Sequence, residues 1–227
     1  MRKVLIAGGN GVIGRILAKG LMSEYEVTVL DKDRYEGLAP AIQADASNYE
    51  DLLKKIPRDT DVIVNLLAVK IKYDVMDTAE FEKMTDIFYR ASYYLCRTAA
   101  ELGIPKVVFA SSNHVTDVYE KDGRSLLGRE ITTDDYPLSK NLYGVLKLTS
   151  EHIGHLFYLE NKLSVINLRE SERLSQMKWI HCLRTTGRKK RFFPTRTCCR
   201  FLKQPLKRIS VMALITPSLT IPASRGR

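Results

Sequence analysis

Residues 3–31 read KVLIAGGNGVIGRILAKGLMSEYEVTVLD, and no other stretch of the chain limits its fold so strongly. The run "KVLIA" is short, apolar and closed by glycines, which suits a parallel strand buried on both faces. "VIGRILAKGLMSE" follows with Ile13, Ile16, Leu17 and Leu21 at helical spacing. "EVTVL" is a second β-branched strand, ending at Asp31. Strand, glycine turn, helix and strand in this order make one right-handed crossover unit.

The alternation continues. "AIQADA" (41–46) reads as a third strand, "NYEDLLKKI" as a short helix and "DVIVNLLA" (61–68) as a fourth strand. A long helical stretch over about 79–102 stops at "LGIP", where glycine and proline end it. "KVVFASS" (106–112) is the fifth strand. "PLSKNLYGVLKLTSEHIGHLFYLEN" runs as a helix to about 161, and "SVINL" (164–168) is the sixth strand. The expected fold is α/β: a doubly wound parallel sheet with helices on both faces, binding its ligand at the carboxyl edge of the strands.

The turn "GGNGVIG" satisfies G-x-G-x-x-G through Gly9, Gly11 and Gly14, and G-x-x-G-x-x-G through Gly8, Gly11 and Gly14. Glycines permit the tight turn and let the backbone approach a pyrophosphate, which then meets the free N–H groups of a helix N-terminus. With a strand before, a helix after and Asp31 closing the second strand, the motif reads as a dinucleotide site. Val12 and Ile13 belong to it as the first helical residues. Asp31 suits a ribose diol and would repel a 2′-phosphate, which favours NAD over NADP, although Lys32 and Arg34 stand close by in sequence. Ala46, Leu67 and Ala68 fall on the same edge. Asp45 is either a contact for the adenine end or an ordinary loop acid.

Three further residues converge on that edge. Ser112 ends the fifth strand, and Tyr143 and Lys147 in "YGVLK" share one helical face at i, i+4. A free phenol titrates near 10 and is a poor base, but a neighbouring ammonium lowers that value. Ser112 can bind the substrate oxygen that Tyr143 deprotonates.

Taken together, "GGNGVIG", Asp31, "QADASNYEDL", "NLLA", "FASSNHV" and "YGVLK" make residues 1–169 resemble the extended short-chain dehydrogenase/reductases, the NAD-dependent epimerase/dehydratase group with its Rossmann-like fold. The resemblance implies that Gly8, Gly11 and Gly14 hold the pyrophosphate, Asp31 the adenosine ribose and Lys147 the nicotinamide ribose, with Ser112 and Tyr143 catalytic. "SSNHV" before "YGVLK" looks most like uronate dehydrogenases, which oxidise C1 of a hexuronic acid with NAD; Asn113 and His114 would then contact the sugar. Nucleotide-sugar epimerases of the UDP-glucose 4-epimerase type share the Ser/Tyr/Lys set and are the alternative, as is an NAD-binding module without turnover. The implied partner is a small sugar acid or nucleotide sugar, with no specific nucleic acid and no membrane; self-association into a homo-oligomer stays open.

Past "NLR" the character changes. The net charge of the chain is +10, yet residues 1–169 hold 22 Lys and Arg against 24 Asp and Glu, while 170–227 hold 14 against 2. The global charge therefore describes a terminal segment rather than a nucleic-acid-binding surface. That segment has no Asp and none of the 11 tyrosines, and shows no sustained helical or strand pattern. The resembled family has a glycine-containing loop there and then a substrate-capping region; uronate dehydrogenases carry a carboxylate-binding arginine in it. Here "ESERLSQMKW" follows instead. Residues 170–227 are thus an atypical basic segment replacing the usual substrate domain, expected to pack poorly and to be dispensable for NAD binding. A change of reading frame near codon 170 explains it first, and a genuine basic appendage second.

Some signals are set aside. "HIGH" (152–155) lies inside a helix rather than at a first strand–helix turn. His181, Cys182, Cys198 and Cys199 lack a C-x-x-C pair, so no metal is expected. The cysteines form no disulfide framework, and the N-terminal apolar run is too short for a secretory signal, which points to the cytoplasm.

Overall fold

The computed structural model describes residues 1–169 and the backbone of Glu170 and of Ser210–Ile215. Its strands are β1 (Lys3–Ala7), β2 (Glu26–Asp31), β3 (Ala41–Gln43), β4 (Val62–Asn65), β5 (Lys106–Ser112), β6 (Glu120–Lys121), β7 (Arg124–Ser125), β8 (Ser164–Glu170) and β9 (Ser210–Ile215). The α-helices are α1 (Val12–Leu21), α2 (Tyr49–Lys55), α3 (Thr78–Met84), α4 (Ala91–Leu102) and α5 (Leu142–Leu159). Among the described residues seven strands form one sheet in the order β3-β2-β1-β4-β5-β8-β9. Every pairing in it is parallel. The order reverses direction at β1 and β4, which opens the crevice where doubly wound proteins bind ligands.

The alternation of strand side chains builds the two faces. Val4 and Ile6 of β1 join Leu17, Ala18 and Leu21 of α1 in one core. Leu5 and Ala7 point the other way, into a core with Leu52 of α2, Leu95 and Ala99 of α4, and Ile153 of α5.

The expected third strand ends with the Ala44 N–H bond to the Asp31 carbonyl, the last of its ladder, because Asp45 then starts a loop closed by its own carboxylate. "PLSKN" is not helical: Asn141 caps α5, its side chain accepting from Gly144 N–H at 2.9 Å. The long helical stretch divides into α3, a π-helical turn over Thr85–Arg90, and α4. The segment after β5 adds a 3-10 stretch, Asn113–Tyr119, and the β6–β7 hairpin, whose Asp122 and Gly123 both have positive φ as a two-residue Asp-Gly turn requires.

A correction concerns the basic segment. Its run Ser210–Ile215 pairs with β8 in parallel from Val165↔Ser210 to Glu170↔Ile215, where no strand pattern was read. "SVMALI" is a short apolar run, of the kind that fits a strand; its basic surroundings hid it. Here it covers the edge that β8 would otherwise present. Cys182, Cys198, Cys199, His181 and "GRKKRFF" lie outside the described residues, as does most of the segment to which the reading-frame explanation applies.

Candidate functional site

The glycine turn between β1 and α1 is shaped by contacts that leave no room for a side chain. Gly8 has φ of +82°, and a Cβ there would lie 2.8 Å from the Leu66 carbonyl carbon. This brings the turn against the end of β4, beside Leu67. A Cβ on Gly14 would lie 2.6 Å from the Gly8 oxygen, so α1 packs directly on the turn. Gly11 is the N-cap of α1, with no side-chain cap bond and no acidic residue in the first helical turn. The amides of this turn and the positive end of the helix dipole therefore suit a phosphate anion. Val12 is exposed at the mouth, Ile13 half-buried against the core.

Asp31 braces this turn. Its Oδ2 accepts from Asn10 N–H at 2.9 Å and its Oδ1 from Asp33 N–H at 3.2 Å. Asn10 Nδ2 donates to the carbonyls of Asp33 and Arg34, and Arg15 donates back to Asn10. Asp31 thus lies next to the glycine turn, as its expected ribose contact requires, with the Arg15 guanidinium close by on Asn10 and the Arg34 backbone carbonyl accepting from the same asparagine. Asp45 is exposed, and its Oδ1 takes both the N–H and the hydroxyl of Ser47. Ala46 is buried in the core, Leu67 packs on that core, and Ala68 is exposed.

The second half of the site is built by side chains from several elements. Ser112, buried at the end of β5, caps the 3-10 stretch by accepting from His114 N–H at 3.2 Å and donates to Asn113 Oδ1 at 3.4 Å. Lys147 is buried on α5, and its Nζ donates to the Ala110 carbonyl at 2.7 Å, two residues before Ser112 on β5. The same ammonium lies 4.6 Å from the ring centroid of Phe88 and 5.8 Å from that of Tyr143. Tyr143 is half-buried, its ring edge-on to Phe88 at 5.4 Å and to His114 at 5.4 Å. Ser112, Tyr143, Lys147, Asn113 and His114 thus all belong to one corner at the carboxyl end of β5.

Several contributors to that corner had no sequence signal. Phe88 sits in the π-helical turn, a feature that no residue pattern announces. Tyr73 has a left-handed backbone (φ 63°), held by Glu80, whose Oε1 accepts from Lys72 and Tyr73 N–H at 2.7 and 3.3 Å. Its ring then lies 5.7 Å from that of His114 and 6.5 Å from that of Tyr143. Below the site, Glu151 of α5 pairs with Arg169 of β8 through two hydrogen bonds at 2.9 and 2.8 Å, and accepts from Ser111 of β5. Both charged residues are buried, so Arg169 is a brace between helix and sheet.

No helix among the described residues is long and apolar enough to cross a membrane. The chain is 86% identical over 169 residues to the uncharacterized protein YtbQ of Bacillus subtilis, covering 74% of this chain and 67% of that one. It is 26% identical over 175 residues to an L-arabinose 1-dehydrogenase (NAD(P)(+)) of Haloferax volcanii, covering 74% and 66%. The chain therefore spans about two thirds of the length of these relatives. The crystal structure of a uronate dehydrogenase mutant from Agrobacterium tumefaciens, complexed with NAD, superposes with a TM-score of 0.61 at 21% identity, over 74% of this chain and 60% of that one. This likeness establishes the same fold. Residues 4–202 match the NAD dependent epimerase/dehydratase family; the chain belongs to that family, and its cofactor is NAD.

Proposed function

We propose that this protein is an NAD-dependent sugar oxidoreductase of the uronate dehydrogenase kind, acting at C1 of a free hexuronic acid. The corner at β5, where a buried ammonium lies beside a half-buried phenol and a buried serine hydroxyl closes the strand, supports the dehydrogenase/epimerase chemistry in general; the observation that carries the sugar-acid reading is His114, next to Asn113, with its ring 5.4 Å from that of Tyr143. Bound NAD supplies the hydride acceptor. In this proposal Gly8, Gly11, Gly14 and the first turn of α1 hold its pyrophosphate, and Asp31 its adenosine ribose. Ser112 binds the C1 oxygen, Tyr143 takes the hydroxyl proton, and Lys147, anchored on Ala110, supplies the positive charge that favours the phenolate form. Asn113 and His114 face the sugar. The catalytic unit is residues 1–169, and "ESERLSQMKW" stands where the resemblance implies a glycine-containing loop, so turnover is expected to be weak beside cofactor binding.

A second reading is an epimerase or dehydratase acting on a nucleotide sugar. It is favoured by Arg169: this arginine, at the carboxyl end of β8, is paired with Glu151 beneath the site and so is not offered to a substrate carboxylate. The two readings part in one assay. Purified protein with NAD and D-galacturonate or D-glucuronate is expected to yield NADH, and Tyr143→Phe to cut the rate by ~10²–10⁴, the usual contribution of a general base. Conversion of UDP-glucose or UDP-galactose with no activity on free uronates would replace the first reading by the second. Unchanged turnover in Tyr143→Phe would remove Tyr143 from the chemistry.

A further inference from the structure

Asp117 lies five residues past Ser112, buried in the 3-10 stretch, and neither the motifs nor the proposed chemistry uses it. Its carboxylate gathers donors from two directions. Oδ1 accepts from Lys140 N–H at 2.6 Å; Oδ2 accepts from Asn141 Nδ2–H at 3.0 Å and lies 2.8 Å from His114 Nδ1. Lys140 and Asn141 lead directly into α5, which carries Tyr143. His114 is tied to both sides of the corner. Its N–H donates to Ser112 Oγ, its carbonyl oxygen would lie 2.2 Å from a Cβ on Gly144, and its ring stands edge-on to that of Tyr143.

Taken with Asp117 as a carboxylate, the hydrogen-bond pattern places a proton on His114 Nδ1. An ionised carboxylate only accepts, so a short contact to Asp117 Oδ2 requires the proton on Nδ1. The alternative, Nδ1 accepting from Asn141 Nδ2 at 3.1 Å, would set a ring lone pair against a carboxylate oxygen at 2.8 Å. Turning the Asn141 amide over does not help. Its Oδ1 is committed to Gly144 N–H as the helix cap, which leaves Nδ2 toward Asp117.

We propose that Asp117 is a positioning residue: it holds His114 in the Nδ1–H tautomer and fastens the Ser112 loop to the start of the helix that bears Tyr143. This rests on the reading that Ser112 and Tyr143 form the reacting set. The tautomer has a chemical consequence. In the neutral ring the lone pair is at Nε2, which accepts from a sugar hydroxyl and cannot donate to a carboxylate. Asp117 thereby sets which sugar group His114 can recognise.

The test reads the ring nitrogens directly. The full-length ¹⁵N-labelled protein is examined by long-range ¹H–¹⁵N correlation at a pH where the imidazole is neutral, with His114 assigned by the loss of its signals in His114→Gln. A protonated Nδ1 and an unprotonated Nε2 are expected. In Asp117→Ala the majority form is expected to become Nε2–H, the form that an unconstrained imidazole prefers in water. An Nε2–H ring in the unmutated protein, or a tautomer unchanged in Asp117→Ala, overturns the proposal. If Asp117→Ala fails to fold, Asp117→Leu, of similar volume and without an acceptor, replaces it, and the unmutated spectrum still decides. No turnover is needed, so a failure of the sugar reading shows in the NADH assay and a failure of this one in the nitrogen spectrum.

Discussion

The cofactor end of the site is built from backbone, and the reacting end from side chains. At the glycine turn, the features that matter are amides, one positive φ and two close approaches, all within seven consecutive residues and braced by Asp31. At the β5 corner, Ser112, Tyr143 and Lys147 are held by residues from elsewhere in the chain: Phe88 from the π-helical turn, Asp117 from the 3-10 stretch, and the Glu151–Arg169 pair between α5 and β8. A site made of backbone depends on having no side chain at a few positions. A site made of side chains depends on many partners, each of which can be broken separately.

The largest effect that would test this contrast concerns Glu151. Its carboxylate and the Arg169 guanidinium are both buried, and removing one partner of such a pair leaves an uncompensated charge. Glu151→Ala is expected to lower stability by about 3–5 kcal/mol, read from urea unfolding. The double replacement Glu151→Met with Arg169→Met should recover most of that loss, because an apolar pair of similar size is often neutral or better. The NAD affinity of the folded protein should change little, since the pair lies under the reacting corner. A loss below ~1 kcal/mol in Glu151→Ala would mean that α5 is positioned by its apolar face alone.

This contrast also explains what was legible in the sequence. The strand–helix alternation, the doubly wound parallel sheet it implies and the glycine turn follow from local periodicity, short-range chemistry and the handedness of crossovers, and they could be read. The Ser/Tyr/Lys set could be read because its members sit at a strand end and at i, i+4 on one helix. Phe88, Tyr73 and Asp117 could not, since a π-helical turn, a left-handed tyrosine and a carboxylate that collects three donors arise from tertiary packing. In the sequence Arg169 is only the end of "NLR"; nothing local announces that Glu151, 18 residues earlier, faces it. The strand at Ser210–Ile215 is hidden for the opposite reason: its short local pattern is outweighed by the basic composition around it.

A smaller effect sharpens the cofactor side. Asp31→Ala is expected to narrow the preference for NAD over NADP by about 1–3 kcal/mol, the range for a hydrogen bond to a charged group. Because Asp31 also accepts from Asn10 and Asp33 N–H, NAD itself should bind more weakly in the variant. Calorimetric titration with both dinucleotides reads both changes. An unmutated protein that prefers NADP would assign Asp31 to bracing alone and hand the 2′ position to Arg15 and Arg34.

The smallest effect lies where backbone and side-chain logic meet, at Asn141. Its Oδ1 caps α5 through Gly144 N–H, a local and legible role, while its Nδ2 donates to Asp117, a tertiary one. Asn141→Ala removes both and should cost about 0.5–2 kcal/mol, the usual range for a lost N-cap. Ser and Asp are comparable caps in isolation, so the cap alone predicts that Asn141→Ser and Asn141→Asp both recover most of the loss. The structure predicts that they separate. Serine restores the acceptor for Gly144 and leaves Asp117 with one donor fewer. Aspartate restores the same acceptor but sets its second oxygen where Nδ2 stood, 3.0 Å from Asp117 Oδ2, so two carboxylates meet. Urea unfolding of the three variants near neutral pH should therefore rank serine above aspartate, with the gap closing as the pH falls and the carboxylate pair takes up a proton. Equal stability of the two variants at neutral pH would mean that Asn141 acts as a cap alone, and that the corner is less tightly connected than its hydrogen bonds indicate.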